Sequence, residues 1–480
     1  MTINLEVIHI FLFVFKRFGL LRNWRERRSD VNIFGAAAEA LQSHFDSISD
    51  TGHGSLSECK QDAGGLLAAL GYAPGSAELA ADPGILKNRQ RLLDLASKFD
   101  DAFELPMPDA QGAFFLGAKV NPTAFGIAEH GNKTVGVGGR GLTRQRAFES
   151  CVGEAAEYLS FIERTNDQLV ASFPGAHGLK PDELTWAFIG IGVPEEQRPD
   201  TLDWIGAESL TSGRSVLFPA ELVLRRPAGR RAGNRQAQSN GLGAGANLND
   251  AILSGLMEVV ERDAIALWWN GGRTPTAVPD DLLDNIGFKD LARAIRFGSS
   301  RTFWLLDITT DLDIPVVVAV SSAEDGAAVV TGFSAHPNIG SAIWGAFLEM
   351  CQMELAQKLS VMKFKHGGIE LRDKDLAWID RYNRLTLQAF PELVTAGIPR
   401  DQCTDSDVWS LEDALGRLSN RGYEPLCVDV TRKSLGIDVV KILVPGLQSA
   451  DIDWPTSRLV REAKQNGKPI KKSSNTISLI

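Results

Sequence analysis

The sequence predicts a mixed α/β fold, in which long helices separate groups of buried strands. Two observations indicate this class. Apolar runs rich in β-branched residues, such as Arg301–Thr309 and Ile314–Val320, are typical of buried strands. The stretch from Ser239 to Trp269 is too long and too rich in helix formers for a strand, and it precedes those runs. Helices placed between strand groups favour a layered α/β core.

The composition describes a soluble globular protein. The chain has 480 residues, 44% hydrophobic residues and a formal net charge of −10, which is enough for a large core and for two or three domains. The acidic balance argues against nucleic acid as the main partner. Five scattered cysteines form no C-x-x-C pair, so neither a zinc site nor a disulfide framework is expected, and a cytoplasmic location fits best.

Residues 1–30 form an apolar and then basic extension. The run from Ile3 to Phe15 is interrupted by Glu6 and is too short to span a membrane, and its basic residues follow it, so a secretory signal is not expected. Two interpretations stay open. The basic patch binds a membrane surface or an acidic partner, or the extension reflects a start codon assigned too far upstream. The basic residues are Lys16, Arg17, Arg22, Arg25, Arg27 and Arg28.

Three further regions follow. Residues 31–100 are predicted to be a helical accessory region, with helices at Phe34–Ile48, at Leu66–Leu70 before Gly71, and at Ile85–Phe99. This region could serve as a docking surface or have a purely structural role, and the sequence does not choose between the two. Residues 101–450 hold the α/β core, and 451–480 read as a polar, flexible tail. Within the core, the predicted strands include Phe114–Gly117, Ala124–Ala128, Thr134–Val137, alternating segments between Trp186 and Leu222, Ala327–Thr331, Pro425–Thr431 and Val439–Gly446, with an exposed loop at Arg225–Arg235.

The stretch from Ser239 to Trp269 reads as a glycine-rich loop followed by a buried helix, with Asn249 and Asp250 near its start as capping residues. Glu258 and Glu261 are three residues apart and Arg262 lies four after Glu258, so all three project from one side of the helix. Small residues one turn earlier leave room for a ligand. From this helix alone, a solvated edge of ion pairs fits as well as a ligand site.

Recurrence of the pattern favours the ligand site. Gly141, Ala147, Ser150, Glu154 and Glu157 repeat the spacing of Gly245, Ala251, Ser254, Glu258 and Glu261, and a weaker third copy is Ala342, Gly345, Glu349 and Gln352. A shared site explains the repetition, whereas a solvated face does not. Carboxylates suit Mg²⁺, which proteins usually hold together with substrate phosphates. Magnesium held with phosphates makes an ATP-type site the leading hypothesis. The loop before Thr143, a good N-cap, has the glycines that suit phosphate binding, but most loops of this kind are only turns.

At these residues the sequence resembles the YcaO family, and specifically its peptide cyclodehydratases. The likeness runs from about Asp100 to Gln448; it includes Gly-Gly-Arg-Gly-Leu-Thr at 138–143, Gly-Glu-Ala-Ala-Glu at 153–157, Glu-Val-Val-Glu-Arg-Asp-Ala at 258–264, Ala-His-Pro at 335–337 and Val-Pro-Gly-Leu-Gln at 444–448. The resemblance implies a mixed sheet-and-helix core whose acidic helices surround a nucleotide. It implies that Glu154, Glu157, Glu258 and Glu261 hold Mg²⁺, and that Ser150, Ser239, Asn240, Arg262 and Glu349 contact ATP.

The resemblance also implies a reaction. A Cys, Ser or Thr side chain of a ribosomally made precursor peptide attacks the preceding amide carbonyl, ATP phosphorylates the resulting oxyanion, and loss of phosphate leaves a thiazoline or oxazoline, as in bacteriocin maturation. Expected partners are the precursor peptide, a separate E1-like leader-binding protein and a flavin-dependent dehydrogenase, with a homodimer possible in such complexes. Two alternatives stay open: thioamide formation on the same activated amide, and a nucleotide-binding scaffold subunit without turnover.

Several positions depart from the family pattern. Members usually carry Lys where Arg140 stands and Arg where Gly345 stands, many have Asn at Ala246, and Arg is usual at Tyr158. Azoline-forming members typically end in a proline-rich tail, whereas this sequence ends Ser-Asn-Thr-Ile-Ser-Leu-Ile. These departures concern nucleotide contacts rather than the acidic pairs. His336, ahead of the third acidic helix, is interpreted as an ordinary loop histidine.

Overall fold

A computed structural model describes residues 37–38, 65–72, 83–127, 134–165, 167, 169–172, 178–192, 202–231, 237–366, 371, 373–399, 410–449, 454–470 and 477–479. The chain divides into two compact units. The first unit comprises Met1–Ser160 with Thr431–Asp438, and the second comprises Phe161–Val430 with Val439–Ile480.

The first unit contains a small antiparallel sheet followed by the first acidic helix. Its strands are β1 (Asp101–Glu104), β2 (Phe114–Val120) and β3 (Val135–Gly141), in the order β1-β2-β3. Helix α1 (Pro83–Ala96) precedes the sheet and helix α2 (Arg144–Phe161) follows it. Residues 65–69 are helical and Gly71 adopts a left-handed φ of 70°, which confirms the predicted stop.

The second unit is built on two sheets. Its strands are β4 (Val170–Ser172), β5 (Leu202–Ser209), β6 (Ser215–Pro219), β7 (Leu242–Gly245), β8 (Thr276–Ala277), β9 (Thr302–Asp307), β10 (Val316–Ser322), β11 (Val330–Ala335), β12 (Leu426–Asp429) and β13 (Asp438–Leu443). One sheet has the order β4-β5-β12-β13-β7, with β6 paired to β5. The other has the order β11-β10-β9-β8.

Helices connect and cover these sheets. They are α3 (Pro181–Ile191), α4 (Ala220–Val223), α5 (Leu248–Ile265), α6 (Asp280–Asn285), α7 (Phe288–Ile295), α8 (Ile339–His366), α9 (Asp373–Arg384), α10 (Leu411–Asn420) and α11 (Ser457–Gln465). Helix α5 continues as a π-helical turn at Ala266–Asn270, which contains the adjacent residues Trp268 and Trp269. Every residue of β10 is buried, as its apolar run predicts. Valines of β10 and the apolar side of α5 share one core, so the mixed α/β class is confirmed.

Two strand predictions were wrong. The segment predicted as a strand at Ala124–Ala128 instead begins in a 3₁₀-helix, Pro122–Phe125, because Asn121 caps it and Pro122 fixes the first φ. The alternating residues at Trp204 and Val216–Leu217 lie in β5 and β6 as predicted, but the apolar residues from Trp186 to Ile191 belong to α3 rather than to a strand. Their spacing fits either period, and Pro181 together with the capping interactions between Lys180 and Glu183 starts a helix.

The loop predicted at Arg225–Arg235 is not exposed at its beginning. Arg226 is 2% exposed and forms ion pairs with Glu163 and Glu221 at 2.9 and 2.7 Å. The charge of Arg226 therefore belongs to a buried ion-pair network. Local polarity in the sequence does not predict this network, because the partners of Arg226 include residues distant in the chain. Residues 232–236 lie outside the described residues.

The region predicted as a flexible tail is folded where the structure describes it. Helix α11 buries Leu459 and Ala463, and Ile477 and Leu479 are 6% and 4% exposed. The Nε1–H of Trp269 donates to the Ile477 carbonyl at 2.9 Å. A few apolar residues anchor a segment whose average composition is polar. The boundaries at 30, 100 and 450 remain predictions, and the 1–30 extension lies outside the described residues, as does most of the predicted helix at Phe34–Ile48.

Cys151, Cys351 and Cys427 are free thiols. The described helices include none with the length and apolar character needed to cross a membrane.

Candidate nucleotide and metal site

Each of the three acidic helices carries a glutamate that accepts a hydrogen bond from a backbone N–H in, or just before, the strand that precedes the helix. Glu154 Oε2 accepts the N–H of Gly138 at 2.8 Å, Glu258 Oε2 accepts that of Gly241 at 2.9 Å, and Glu349 Oε2 accepts that of Phe333 at 2.9 Å. The donors lie in β3, just before β7 and in β11. The weak third copy of the sequence pattern is therefore a genuine structural repeat, with Glu349 in the place of Glu154 and Glu258.

Glycines allow each helix to lie close to its strand. A Cβ at Gly139 would lie 2.0 Å from the Ala147 carbonyl oxygen, and a Cβ at Gly243 would lie 2.2 Å from that of Ala251. These pairs occupy matching positions in the first two copies. In the third copy the strand position equivalent to Gly139 is Ser334, and two other glycines allow the close contact: a Cβ at Gly332 of β11 would lie 2.4 Å from the Ala346 carbonyl oxygen, and a Cβ at Gly345 of α8 would lie 2.3 Å from Ser334 Oγ.

Each acidic helix begins at a polar cap. Thr143 Oγ1 accepts the N–H of Arg146 at 3.2 Å, which confirms the predicted cap of α2. In α5 the cap is Asn247, which accepts from the N–H of Asp250 at 3.0 Å, so the cap falls two residues before Asn249. Asn338 caps α8 through the N–H of Ser341 at 2.8 Å. His336 Nδ1 accepts the N–H of Asn338 at 2.9 Å, the ordinary loop hydrogen bond predicted for it.

Arg262 lies among three carboxylates. Its guanidinium contacts Glu258 at 3.3 Å and Glu261 at 3.5 Å, and its side chain is 11% exposed. Burial opposes the charged guanidinium, but Glu261, Glu258 and Glu349 outweigh burial and raise the pKa of Arg262 above its usual range. Acids of the second and third copies of the repeat thus act electrostatically on one arginine.

The remaining predicted site residues lie on α2 and on the loop before β7. In the first unit, Glu154 and Glu157 are partly buried, and Ser150 is exposed one turn earlier. Burial raises the pKa of Glu154, against the lowering effects of the Gly138 N–H and Arg140. In the second unit, Ser239 is exposed and Asn240 is partly buried. That Glu154 and Glu157 join Glu258 and Glu261 around one metal stays a prediction.

Two buried polar groups that support the site were missed by sequence analysis. Lys441 in β13 is 2% exposed and donates through Nζ to the carbonyls of Gln238 and Asn240. Asp263, directly after Arg262, is fully buried, and its carboxylate accepts a hydrogen bond from Arg458 Nε at 2.9 Å. Neither residue differs from an ordinary strand lysine or helix aspartate in the sequence, because the partners come from distant segments.

An open cavity of about 770 Å³ adjoins Arg262. Arg262, Asn240 and Lys441 supply polar lining, and Trp186 and Val259 are among its apolar lining residues. Cavities of this size hold small molecules or peptide side chains. The structure therefore provides space for a substrate group directly beside the arginine that the acids surround.

The residues around Arg262 fit a magnesium–nucleotide complex. Within the described residues, no group of three or more His, Cys, Asp or Glu side chains is arranged to hold a metal by itself. Mg²⁺ is commonly held by one or two carboxylates and completed by phosphates and water, so this donor set suits nucleotide-bound Mg²⁺. The buried Nε of Arg262 has no hydrogen-bond acceptor among the described residues, and a phosphate oxygen would satisfy it.

The α/β fold, with acids gathered around Arg262, is of the kind suited to binding a nucleotide with Mg²⁺. The family model of YcaO cyclodehydratases, described as ATP- and Mg²⁺-binding, matches residues 138–448. The chain belongs to the YcaO family, and its cofactors are ATP and Mg²⁺. A relative of this chain is an uncharacterized protein of Methanothermobacter thermautotrophicus, 29% identical over 325 residues, which cover 66% of this chain and 82% of the relative.

Solved structures share the fold. A heterocyclase in complex with substrate and cofactor aligns with a TM-score of 0.64 and 21% identity, covering 80% of this chain and 56% of that one. This chain therefore spans little more than half the length of that heterocyclase. YcaO from Methanopyrus kandleri, bound with AMPPCP and Mg²⁺, aligns with a TM-score of 0.54 and 22% identity, covering 75% of this chain and 89% of that one.

Proposed function

We propose that this protein is an ATP-dependent cyclodehydratase that converts Cys, Ser or Thr residues of a ribosomally made precursor peptide into thiazoline or oxazoline rings. The observation that carries the proposal is that Arg262 contacts Glu258 and Glu261 of α5 and also interacts electrostatically with Glu349 of α8, so that acids from two of the three repeated helices act on one arginine. In this arrangement the carboxylates are suited to holding the metal ion, and the guanidinium beside them is suited to contacting the triphosphate.

Each side chain has a role in the proposal. Glu154, Glu157, Glu258 and Glu261 hold Mg²⁺, and Ser150, Ser239, Asn240, Arg262 and Glu349 contact the nucleotide. When bound, ATP supplies the phosphoryl group that converts a poor leaving group, the amide oxygen, into phosphate. The contacts of Arg262 with Glu258 and Glu261 keep its guanidinium in place before the nucleotide arrives, so little reorganisation is needed.

The cavity beside Arg262 supports a peptide substrate. Its lining combines Arg262 with apolar side chains such as Trp186 and Leu222, which suit a side chain next to the modified residue. The similar heterocyclase is named as a complex with substrate. We propose that a separate E1-like protein delivers the peptide in the cytoplasm, and that a flavin-dependent dehydrogenase oxidises the rings to thiazoles and oxazoles.

The test is the intact mass of a precursor peptide incubated with the full chain, an E1-like partner, ATP and Mg²⁺. The proposal predicts loss of one water per modified residue, accompanied by ATP hydrolysis. Glu258→Gln and Glu261→Gln should abolish both while the protein stays folded, whereas Glu412→Gln, at an exposed acid, should not. With sulfide present, oxygen-to-sulfur exchange would instead identify thioamide formation. An unmodified peptide together with ATP binding would identify a scaffold.

A further inference from the structure

Lys441 holds the loop that carries Ser239 and Asn240. Its ammonium donates to the Gln238 carbonyl at 2.6 Å and also to the Asn240 carbonyl. The next residue of β13, Ile442, donates its N–H to the Gly241 carbonyl at 2.7 Å. Three carbonyls of one loop are therefore fixed by two consecutive residues of β13.

The opposite side of the same loop is fixed by the acidic helix. Gly241 donates its N–H to Glu258 at 2.9 Å. Gly241 has a φ of 83°, and a Cβ there would lie 2.2 Å from the Ile442 carbonyl oxygen, so the loop is closely confined between β13 and α5. A trans peptide points its carbonyl and its N–H in opposite directions. Because Lys441 binds the carbonyls of Gln238 and Asn240, it also sets the directions of the N–H groups of Ser239 and Gly241.

We propose that Lys441 is a positioning residue for ATP: it fixes the loop from Gln238 to Gly241 so that Ser239 and Asn240 present their polar groups to the phosphates. This inference rests on the proposed nucleotide contacts of Ser239 and Asn240. The lysine acts through the loop, because its ammonium is already directed at two carbonyls and its Nζ lies 5.4 Å from the centroid of the Phe161 ring. The Gly241 N–H is already donated to Glu258, so the N–H of Ser239 is the one that this arrangement leaves as a suitable donor to a phosphate oxygen.

The chain offers a matched control for the loss of a buried lysine. Lys363 is 1% exposed and pairs with Asp375 at 2.8 Å, within a part of the second unit formed by α8 and α9. Lys363→Met removes a buried ammonium, as Lys441→Met does, and also takes from Asp375 its ion-pair partner, so its stability loss should be at least as large. It leaves the loop untouched.

The experiment compares the full chain with Lys441→Met and Lys363→Met by two readouts. The first is amide hydrogen exchange in residues 239–242 without nucleotide, and the second is the affinity for MgATP by calorimetry. We expect Lys441→Met alone to speed exchange in this loop and to raise the Kd for MgATP about tenfold, which corresponds to loss of about one charge-assisted hydrogen bond. Lys441→Gln keeps an N–H donor for the loop carbonyls and should show smaller changes in both readouts than Lys441→Met, which keeps the test available if Lys441→Met folds poorly.

Unchanged loop exchange in Lys441→Met would overturn the inference, as would faster exchange with ATP affinity within twofold of the parent chain. Equal losses of affinity in Lys441→Met and Lys363→Met would also overturn it, since they would show a general effect of stability. A parent chain that binds no ATP would overturn the proposed function instead, and the exchange readout would still decide whether Lys441 holds the loop.

Discussion

Asp263 Oδ1 accepts the backbone N–H of Gln448 at 2.9 Å, across 185 residues of sequence. This hydrogen bond joins the acidic motif of α5 to the Val-Pro-Gly-Leu-Gln motif at 444–448, which lines the cavity beside Arg262. Gln448 continues the connection by accepting the N–H of Thr456 at 2.7 Å, at the start of α11. The residue directly after Arg262 therefore fixes one wall of the cavity.

Asp263→Asn should destabilise the chain by about 3 kcal/mol, because it removes the charge that pairs with the buried Arg458 guanidinium. The measurement is urea unfolding followed by tryptophan fluorescence. Asp290→Asn, at a 92% exposed side chain paired with Arg293, is the control and should cost less than about 0.5 kcal/mol. Similar losses for both variants would show that the Asp263 network contributes little to stability.

Gly243→Ala should strongly destabilise the second unit. The added Cβ would lie 2.2 Å from the Ala251 carbonyl oxygen and 2.3 Å from the Gly255 nitrogen, and backbone atoms of a packed helix cannot rotate away. Overpacking of this kind costs about 3 kcal/mol or more. The matched control is Gly206→Ala in β5, where a Cβ meets nothing within 4 Å. Chemical denaturation of both variants checks the prediction, and equal stabilities would contradict the close helix–strand contact.

Gly345→Ala should be destabilising in the single variant and much less so together with Ser334→Gly. The reason is that the Cβ added at residue 345 would lie 2.3 Å from Ser334 Oγ and 2.8 Å from Ser334 Cβ. Removing the serine side chain restores the arrangement of the first two copies, in which the strand carries the glycine. A double-mutant cycle on unfolding free energies measures the coupling. Additive effects would show that the two residues do not compete for this space.

Glu424→Gln should lower stability by about 1–2 kcal/mol at neutral pH, with a difference that shrinks in acid. Burial favours a higher pKa for Glu424, but hydrogen bonds outweigh it and hold the pKa well below the ordinary 4.5; the donors are Lys180, Ser209, Ser212 and Arg214. A carboxylate with a lowered folded-state pKa stabilises the fold above its unfolded pKa and loses that contribution as the pH falls below it. Unfolding curves of both proteins from pH 7 to pH 3 test this, and a pH-independent difference would contradict it.

Sequence analysis predicted the elements with strong local signals. The spacing of Glu258, Glu261 and Arg262 defines one side of a helix, and a repeated spacing predicts a repeated structure. The third copy was weak in sequence because Gly345 stands where the other copies have Ser150 and Ser254, and Gln352 stands where they have a second glutamate. The structure gives a reason for the glycine, since Ser334 lies opposite it. Trp186 was misassigned because short apolar runs fit both helix and strand periods. Lys441 and Asp263 were missed because nothing local distinguishes a buried polar residue whose partners are distant.

Under the proposed function, Glu154 and Glu258 hold the same Mg²⁺ together with ATP. The most direct measurement is calorimetric binding of MgATP to the parent chain, Glu154→Gln, Glu258→Gln and the double variant. If both carboxylates hold the same metal, each single variant should weaken binding about tenfold or more, and the double variant should be little worse than either one, because the metal is already lost. Parent-like binding by Glu154→Gln, or losses that multiply fully in the double variant, would contradict the account.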